Sequence, residues 1–207
     1  GSEMCIRDSH YRDPSRLVLD KEIDHVDDRA AAFIAASTFV LVGTANADGE
    51  GDISPKGGDA GFVHVLDPKR LAIPDLNGNN RLDSLQNIVA NPHVGLLFLV
   101  PDRIETLRIN GRAWVSVADD LLDSFTDQYR RPASVIGIEV KEVFLHCGKA
   151  VRRAGLWEPE TWGAEAAVPS SGAILAGHVG LDDGAAAAID AGLDGSYVRD
   201  LEADRPA

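Results

Sequence analysis

Residues 38–51 read Thr-Phe-Val-Leu-Val-Gly-Thr-Ala-Asn-Ala-Asp-Gly-Glu-Gly, and this stretch indicates a β fold. Residues 38–44 are apolar and rich in β-branched side chains, which predicts a strand, and the Asn, Asp and Gly of residues 45–51 predict a hairpin turn. Similar strand patterns follow at residues 62–66, 70–74, 94–100, 105–117 and 135–145. About six strands joined mostly by short turns predict a barrel rather than a doubly wound sheet.

Helical patterns interrupt and flank these strands. Apolar residues recur at helical spacing in residues 21–36, which predicts an amphipathic helix. Residues 81–90 predict a second helix with Asn80 as its N-cap, and residues 119–130 a third that begins with acidic residues. Helical patches also occur at residues 170–176 and 182–201. The sequence therefore predicts a mainly β fold with added helices, an α+β class.

The charge of the chain excludes some partners. The 207 residues carry a net charge of −13, whereas nucleic acids and anionic membranes require a basic face. We therefore expect no nucleic acid and no membrane as partner. Residues 158–207 contain ten acidic residues against two arginines, so this last segment is predicted to form a separate, solvated layer.

Cysteine usage and hydropathy indicate a cytoplasmic protein without a metal site. Cys5 and Cys147 are far apart, and no Cys or His spacing is typical of a zinc site or a disulfide framework. No apolar run is long enough for a membrane span, and no signal pattern is visible at the N-terminus. Residues 1–9, Gly-Ser-Glu-Met-Cys-Ile-Arg-Asp-Ser, show no periodicity and resemble a cloning scar followed by adapter read-through, so we interpret them as non-native.

Two neighbouring motifs could bind an anion. Residues 54–58, Ser-Pro-Lys-Gly-Gly, supply a turn with free N–H groups, the Ser54 hydroxyl and the Lys56 ammonium. Arg81, in the first turn of the predicted helix, would oppose the helix dipole unless an anion lay nearby, and Asn80 and Ser84 add donors beside it. The alternatives are an exposed β-turn at Lys56, and a cap and a solvated side chain at Asn80 and Arg81. Taken singly, the two readings of each motif are about equally supported.

Other polar residues remain open to two interpretations. Alternation along residues 105–117 puts Thr106, Arg108 and Asn110 on one strand face, which either lines a ligand or meets water. His146 has no acid nearby in sequence to complete a catalytic triad, and it is more typical of a structural residue. The catalytic residues are therefore unknown. The chain also has no Gly-x-Gly-x-x-Gly fingerprint and no Walker loop, which disfavours a Rossmann or P-loop enzyme.

The order of these motifs resembles the pyridoxamine 5′-phosphate oxidase-like flavoproteins. The resemblance covers roughly residues 33–157 and includes motifs that look like a bacterial subgroup. It is carried by residues 52–57 (Asp-Ile-Ser-Pro-Lys-Gly), 73–75 (Ile-Pro-Asp), 78–85 (Gly-Asn-Asn-Arg-Leu-Asp-Ser-Leu), 91–98 (Asn-Pro-His-Val-Gly-Leu-Leu-Phe), 105–113 (Glu-Thr-Leu-Arg-Ile-Asn-Gly-Arg-Ala), 143–150 (Val-Phe-Leu-His-Cys-Gly-Lys-Ala) and 155–157 (Gly-Leu-Trp).

This resemblance implies an FMN-binding, six-stranded split β-barrel with peripheral helices. The implied domain division is residues 10–157 for the barrel and residues 158–207 for an acidic, helical C-terminal extension. It also implies a homodimer with FMN at the subunit interface. The residues implied to bind the cofactor are Ser54, Lys56, Asn80, Arg81 and Ser84 near the phosphate, Thr106 near the ring system, and Lys149 in a basic turn that reaches a ring bound mainly by the other chain.

The resemblance implies an FMN-dependent oxidoreductase acting on a small molecule. The chain departs from the oxidase itself, because the acidic residues 158–207 stand where that enzyme has an Arg-Leu-His-Asp-Arg element for the substrate phosphate and the flavin. We therefore expect that the phosphates of vitamin B6 are not its physiological substrates. The alternatives are a non-catalytic flavin- or haem-binding split-barrel protein, and a reductase that uses the deazaflavin F420.

Overall fold

The computed structural model describes residues 12–163 and 168–206, so the predicted non-native residues 1–9 lie outside the described part. The elements in chain order are α1 (Arg16–Asp20), α2 (Asp28–Ala36), β1 (Phe39–Ala45), β2 (Gly51–Gly57), β3 (His64–Asp67), β4 (Arg70–Pro74), α3 (Asp83–Ala90), β5 (His93–Leu99), β6 (Thr106–Ser116), α4 (Asp119–Asp123), β7 (Val135–His146), α5 (Lys149–Ala154), a 3₁₀ turn (Pro159–Thr161), α6 (Ser171–Val179) and α7 (Asp183–Ala203).

The described strands form one open, antiparallel sheet with the order β2-β1-β5-β6-β7-β4-β3. The mixed α+β class is confirmed, but the prediction of six strands was wrong, because the sheet has seven strands. The additional strand is β2, which contains the Ser-Pro-Lys-Gly motif predicted as a turn. It lies at the sheet edge and pairs with β1, and an edge strand tolerates the missing N–H of Pro55.

One face of the sheet, which we call the inner face, carries the main core. Val40 of β1, Phe98 of β5 and Ile109 of β6 are fully buried there. Helix α2 adds the buried Ile34, and helix α3 adds Ile88. Burial therefore alternates along the apolar strands β1 and β5, whose every second residue faces the core.

Helix α2 is shorter than the helix predicted over residues 21–36. Its N-cap is Asp27, whose side chain accepts a hydrogen bond from the Ala30 amide. Upstream, Ile23 forms an isolated antiparallel bridge with Val143 of β7. Pairing with the sheet thus replaces the first turns of the predicted helix, although the apolar spacing of Ile23 and Val26 suits both arrangements.

The helix boundaries near the predicted anion site also differ from the prediction. Helix α3 begins at Asp83 after the N-cap residue Leu82. Asn80 is therefore not the N-cap, and Arg81 lies outside the helix. The helix predicted over residues 119–130 is reduced to α4, Asp119–Asp123, and the basic residues after β7 form the short helix α5.

The C-terminal residues form a helical hairpin of α6 and α7. The Asp190 carboxylate on α7 accepts hydrogen bonds from the Ser170 hydroxyl and the Gly172 amide, both at 2.6 Å. Gly172 is required at this contact, because a Cβ atom there would overlap the main-chain oxygen of Ala186. Of the helices that the structure describes, none is long and apolar enough to cross a membrane.

Candidate functional site

A cavity of about 360 Å³ lies between strand β2 and the loop that follows β4. We call residues 75–82 the site loop. The lining includes four of the seven predicted cofactor residues, namely Ser54, Lys56, Asn80 and Arg81. This is the largest group of predicted site residues that the structure brings together.

The register of β2 decides which of its side chains face this cavity. Ser54 lies opposite Val42 and Lys56 lies opposite Val40, and both valines are fully buried. Directly opposed residues of an antiparallel pair project from the same face, so Ser54 and Lys56 belong to the inner face. The intervening Ile53 projects from the other side and is 70% exposed.

Lys56 is held close to a carboxylate of the site loop. Its Nζ atom lies 3.5 Å from Oδ1 of Asp75, and both side chains are about three-quarters buried. Asp75 is itself fixed, because its amide donates to the Ser134 carbonyl at 2.9 Å and its carboxylate accepts from the Ser134 hydroxyl at 3.4 Å. An ammonium group has three N–H donors, and Lys56 uses one of them for its hydrogen bond to Asp75. The others could donate hydrogen bonds to an anion in the cavity.

Arg81 lies in the loop, and the helix-dipole argument for an anion beside it was therefore wrong. Its Nε–H donates to the Asp83 carboxylate, which holds the pKa of Arg81 above its usual range. Asp83 occupies the first turn of α3, where a negative charge is favourable. The Arg81 side chain is 77% exposed and its terminal N–H groups have no acceptor among the described residues, so they remain able to bind an anion.

The structure places Asn80 in the lining of the cavity and Ser84 outside it. Asn80 has a left-handed backbone with φ of 59°, a conformation that Asn adopts more readily than most residues, and it turns the loop toward α3. Ser84 is buried and does not line the cavity; its hydroxyl donates to the Asp52 carboxylate at 3.2 Å. Ser84 therefore ties α3 to β2.

Thr106 and Lys149 do not lie at this cavity. Leu107 of β6 pairs with the fully buried Phe98 and projects from the inner face, so Thr106, its neighbour in the strand, projects from the opposite face. Thr106 pairs with His146 at the end of β7, and the exposed Lys149 begins α5 shortly beyond. The structure thus separates the predicted residues into two groups.

The face that carries Thr106, which we call the outer face, has a groove of its own. Gly43 of β1 pairs with Gly95 of β5, so the floor of the groove lacks side chains there. Asn110 lies next to Gly95 in the register, and its side-chain amide donates to Glu142 at 2.6 Å. A cavity of about 300 Å³ in this groove is lined by Leu41, Gly43, Ile53, Gly95, Leu96, Leu97, Arg108, Asn110 and His146.

Sequence reasoning missed two residues of the inner-face site. Asp75 accepts from Lys56, and Asn77 is bound by a carboxylate near the C-terminal end of the chain. The motif Ile-Pro-Asp pointed to Asp75, but nothing local to Asn77 indicates its distant partner. In residues 12–163 and 168–206, no group of three or more His, Cys, Asp or Glu side chains could hold a metal ion.

The sequence of this chain matches a known protein family. A sequence model of the family described as "Pyridoxamine 5'-phosphate oxidase" matches residues 26–147, which is more than half of the chain. A comparison with curated proteins finds no match.

Three solved structures are similar to part of this chain at low sequence identity. HupZ of Group A Streptococcus is 18% identical with a TM-score of 0.49, over 58% of this chain and 93% of that chain. A Lactobacillus delbrueckii protein described as a candidate pyridoxamine 5'-phosphate oxidase is 22% identical with a TM-score of 0.47, over 59% and 95%. An FMN-binding protein of Syntrophomonas wolfei is 9% identical with a TM-score of 0.42, over 57% and 84%.

Proposed function

Because the chain belongs to the pyridoxamine 5'-phosphate oxidase family, we propose that it is an FMN-dependent oxidoreductase acting on a small molecule that is not yet identified. Members of this family are often oxidoreductases. The observation that carries the proposal is the inner-face cavity, where the strand β2 and the site loop bring Lys56 and Arg81 to one lining.

The residues present fit the phosphate end of FMN. The cavity lining contains two cations, Lys56 and Arg81, and a single carboxylate, Asp75, so the lining residues have a formal charge of +1; the Asp83 carboxylate that pairs with Arg81 lies outside the lining. The Ser54 hydroxyl and the Asn80 side chain add neutral donors. A volume of about 360 Å³ lies within the range of small-molecule sites, about 300–1,000 Å³.

In this proposal the protein binds and orients, and the cofactor supplies the redox chemistry. A bound flavin supplies hydride or electron transfer. Lys56 and Arg81 would hold the phosphate by charge-assisted hydrogen bonds, which are about twice as strong as neutral ones. Asp75 would keep the Lys56 ammonium in place, because the two side chains already form a largely buried ion pair at 3.5 Å.

We further propose a homodimer that forms across the outer face and completes the cofactor site. Thr106 and Lys149 lie away from the cavity that Lys56 of their own chain lines. They would therefore contact a flavin only if that flavin were bound mainly in the cavity of a second copy of the chain. The outer face also exposes Ile53 and Phe39, at 70% and 39%. Burial of such apolar side chains favours association, and a twofold axis would use the same face of both copies.

An absorption spectrum of freshly purified protein tests the cofactor. We expect flavin bands, with FMN released on denaturation and reduction of the bound flavin by a nicotinamide cofactor. A Soret band would instead indicate a haem-binding protein, and release of a deazaflavin would indicate an F420-dependent reductase. Bound FMN that neither nicotinamide cofactors nor small oxidants convert would favour a non-catalytic flavin binder.

A further inference from the structure

The end of helix α7 is bound to the site loop by one aspartate. Asp204 is the C-cap residue of α7. Its Oδ1 atom accepts hydrogen bonds from the Asn77 amide at 3.0 Å and from the Asn77 side-chain Nδ2 at 2.8 Å. Its main-chain oxygen accepts from the Arg130 amide at 2.7 Å. A residue 127 positions downstream of Asn77 therefore contacts the middle of the loop that lines the cavity.

Leu76 packs against the main core at the beginning of the site loop, but the rest of the loop has little other support. Asp75 is bound to Ser134 at the beginning of the loop, and Arg81 pairs with Asp83 at its end. Between these points, among the described residues, the hydrogen bonds that leave the loop are those of Asn77 to Asp204. Residues 77–82 are exposed, so burial does not hold them in place.

A second cavity lies on the other side of the site loop. It has a volume of about 400 Å³ and shares five lining residues with the first cavity, and it is closed on its far side by Arg130, Arg131 and the end of α7. The shared residues are Asp75, Leu76, Asn77, Gly78 and Asn80. With open space on both sides, the exposed residues 77–82 depend on the hydrogen bonds to Asp204 for their position.

We propose that Asp204 is a positioning residue of the candidate phosphate site, through which the C-terminal helical hairpin holds Asn80 and Arg81 at the cavity. The proposal rests on the proposed function. If the loop leaves this position in some of the molecules, only the molecules in which it stays there bind phosphate. The apparent affinity for phosphate is then the intrinsic affinity multiplied by the fraction of molecules whose loop is in place. Asp204 acts on Arg81 through the loop and does not touch the ligand.

The experiment compares three variants of the full chain. Asp204→Ala removes the acceptor, Asp204→Asn keeps an Oδ1 acceptor and removes the charge, and Glu202→Ala is the matched control, because it removes one exposed carboxylate from the last turn of the same helix. Hydrogen–deuterium exchange of the ligand-free protein measures the protection of residues 75–82. Titration with FMN, with riboflavin as control, measures the contribution of the phosphate.

We expect Asp204→Ala to increase exchange at Asn77 and its neighbours and to weaken FMN about tenfold, while riboflavin binding is little changed. Asp204→Asn should keep most of the exchange protection and most of the FMN affinity that Asp204→Ala loses. Glu202→Ala should resemble the unsubstituted protein. Unchanged exchange in Asp204→Ala, equal effects in Glu202→Ala, or increased exchange without weaker FMN binding would each overturn the proposal. Failure of the unsubstituted protein to bind FMN would refute the proposed function instead, and the exchange measurement would still decide whether Asp204 holds the loop.

Discussion

Lys56 and Thr106 project from opposite faces of the same sheet. Lys56 lies opposite Val40, Val40 lies opposite Phe98, and Phe98 lies opposite Leu107, so these four residues share the inner face and Thr106 does not. Their strands β2 and β6 are also separated by β1 and β5, a distance of about 14 Å at the usual strand spacing. One chain therefore cannot bring both side chains to the same face of a flat ligand.

The proposed homodimer predicts that Ile53→Lys produces a monomer. Ile53 is the most exposed large apolar side chain on the outer face, and a charge there would be desolvated in a twofold interface. Light scattering at micromolar protein concentration measures the mass. Val89→Lys is the matched control, since Val89 is 78% exposed but lies on helix α3, and this variant should remain dimeric. An unsubstituted protein that is monomeric and retains FMN would exclude the composite site.

Arg81→Ala should weaken FMN binding about tenfold to a hundredfold, because a charge-assisted hydrogen bond to the phosphate is lost. Fluorescence titration of the apoprotein measures the affinity. Riboflavin lacks the phosphate, so its affinity should not change.

A control variant separates this effect from the loss of a positive charge anywhere on the surface. Arg29 is likewise exposed and paired with an aspartate, Asp27, at 3.6 Å, so Arg29→Ala should leave FMN affinity unchanged. If Arg81→Ala weakens riboflavin as much as FMN, Arg81 does not bind the phosphate.

Gly111→Ala should destabilise the fold by about 1–3 kcal/mol, a typical cost of overpacking. Gly111 lies at the register shift between β6 and β7, and a Cβ atom there would overlap the main-chain oxygen of Glu139, which cannot rotate away. Urea unfolding measures the free energy. Gly51→Ala is the control, because a Cβ at Gly51 meets no atom within 4 Å, and equal destabilisation by both variants would contradict this explanation.

Stability should decrease on acidification through the titration of His64. Burial lowers the pKa of His64 below its ordinary value of 6.5, against a smaller raising effect of Gln128, and the ring stacks on Phe125 at 4.0 Å. Below pH 6.5 the unfolded chain therefore binds more protons than the folded chain, and the free energy of unfolding falls until the lower folded pKa is passed.

Urea unfolding between pH 5 and pH 8 measures this dependence, about the range in which histidine changes its charge. His64→Gln should have a flatter profile below pH 6.5, because the pKa of His64 in the folded protein lies below that ordinary value. The Asp24 carboxylate, whose pKa is lowered to about 2 by hydrogen bonds from Lys69 and His25, titrates below this range. Identical slopes in both proteins would show that His64 is not responsible.

Pyridoxine phosphate and pyridoxamine phosphate should be poor substrates. Each brings a second phosphate that needs its own basic groups, whereas the C-terminal segment carries ten acidic residues and two arginines. Asp204 of this segment lies directly at the site loop. Oxygen-dependent formation of pyridoxal phosphate with kcat/KM above about 10⁴ M⁻¹s⁻¹, the lower end for ordinary enzymes, would contradict this expectation.

Most strands and the main core could be predicted from the sequence. The apolar, β-branched residues 38–44, the apolar residues 94–100 and the turn at residues 45–51 correspond closely to β1, β5 and the β1–β2 hairpin. Such patterns are local, because they record which side of a strand meets the core. The sequence also indicated Lys56 and Arg81 as the cations of one site, and both line the same cavity.

Only the tertiary structure decided how these pieces are used. Ser54-Pro55-Lys56 has the composition of a turn, yet pairing with β1 makes it an edge strand, and its register directs Lys56 to the inner face and leaves Thr106 on the outer face. The contact of Asn77 with Asp204 spans 127 residues, and no local pattern encodes it. The physical reason is that strand periodicity depends on neighbours along the chain, whereas these contacts form only after the sheet and the C-terminal helices have packed.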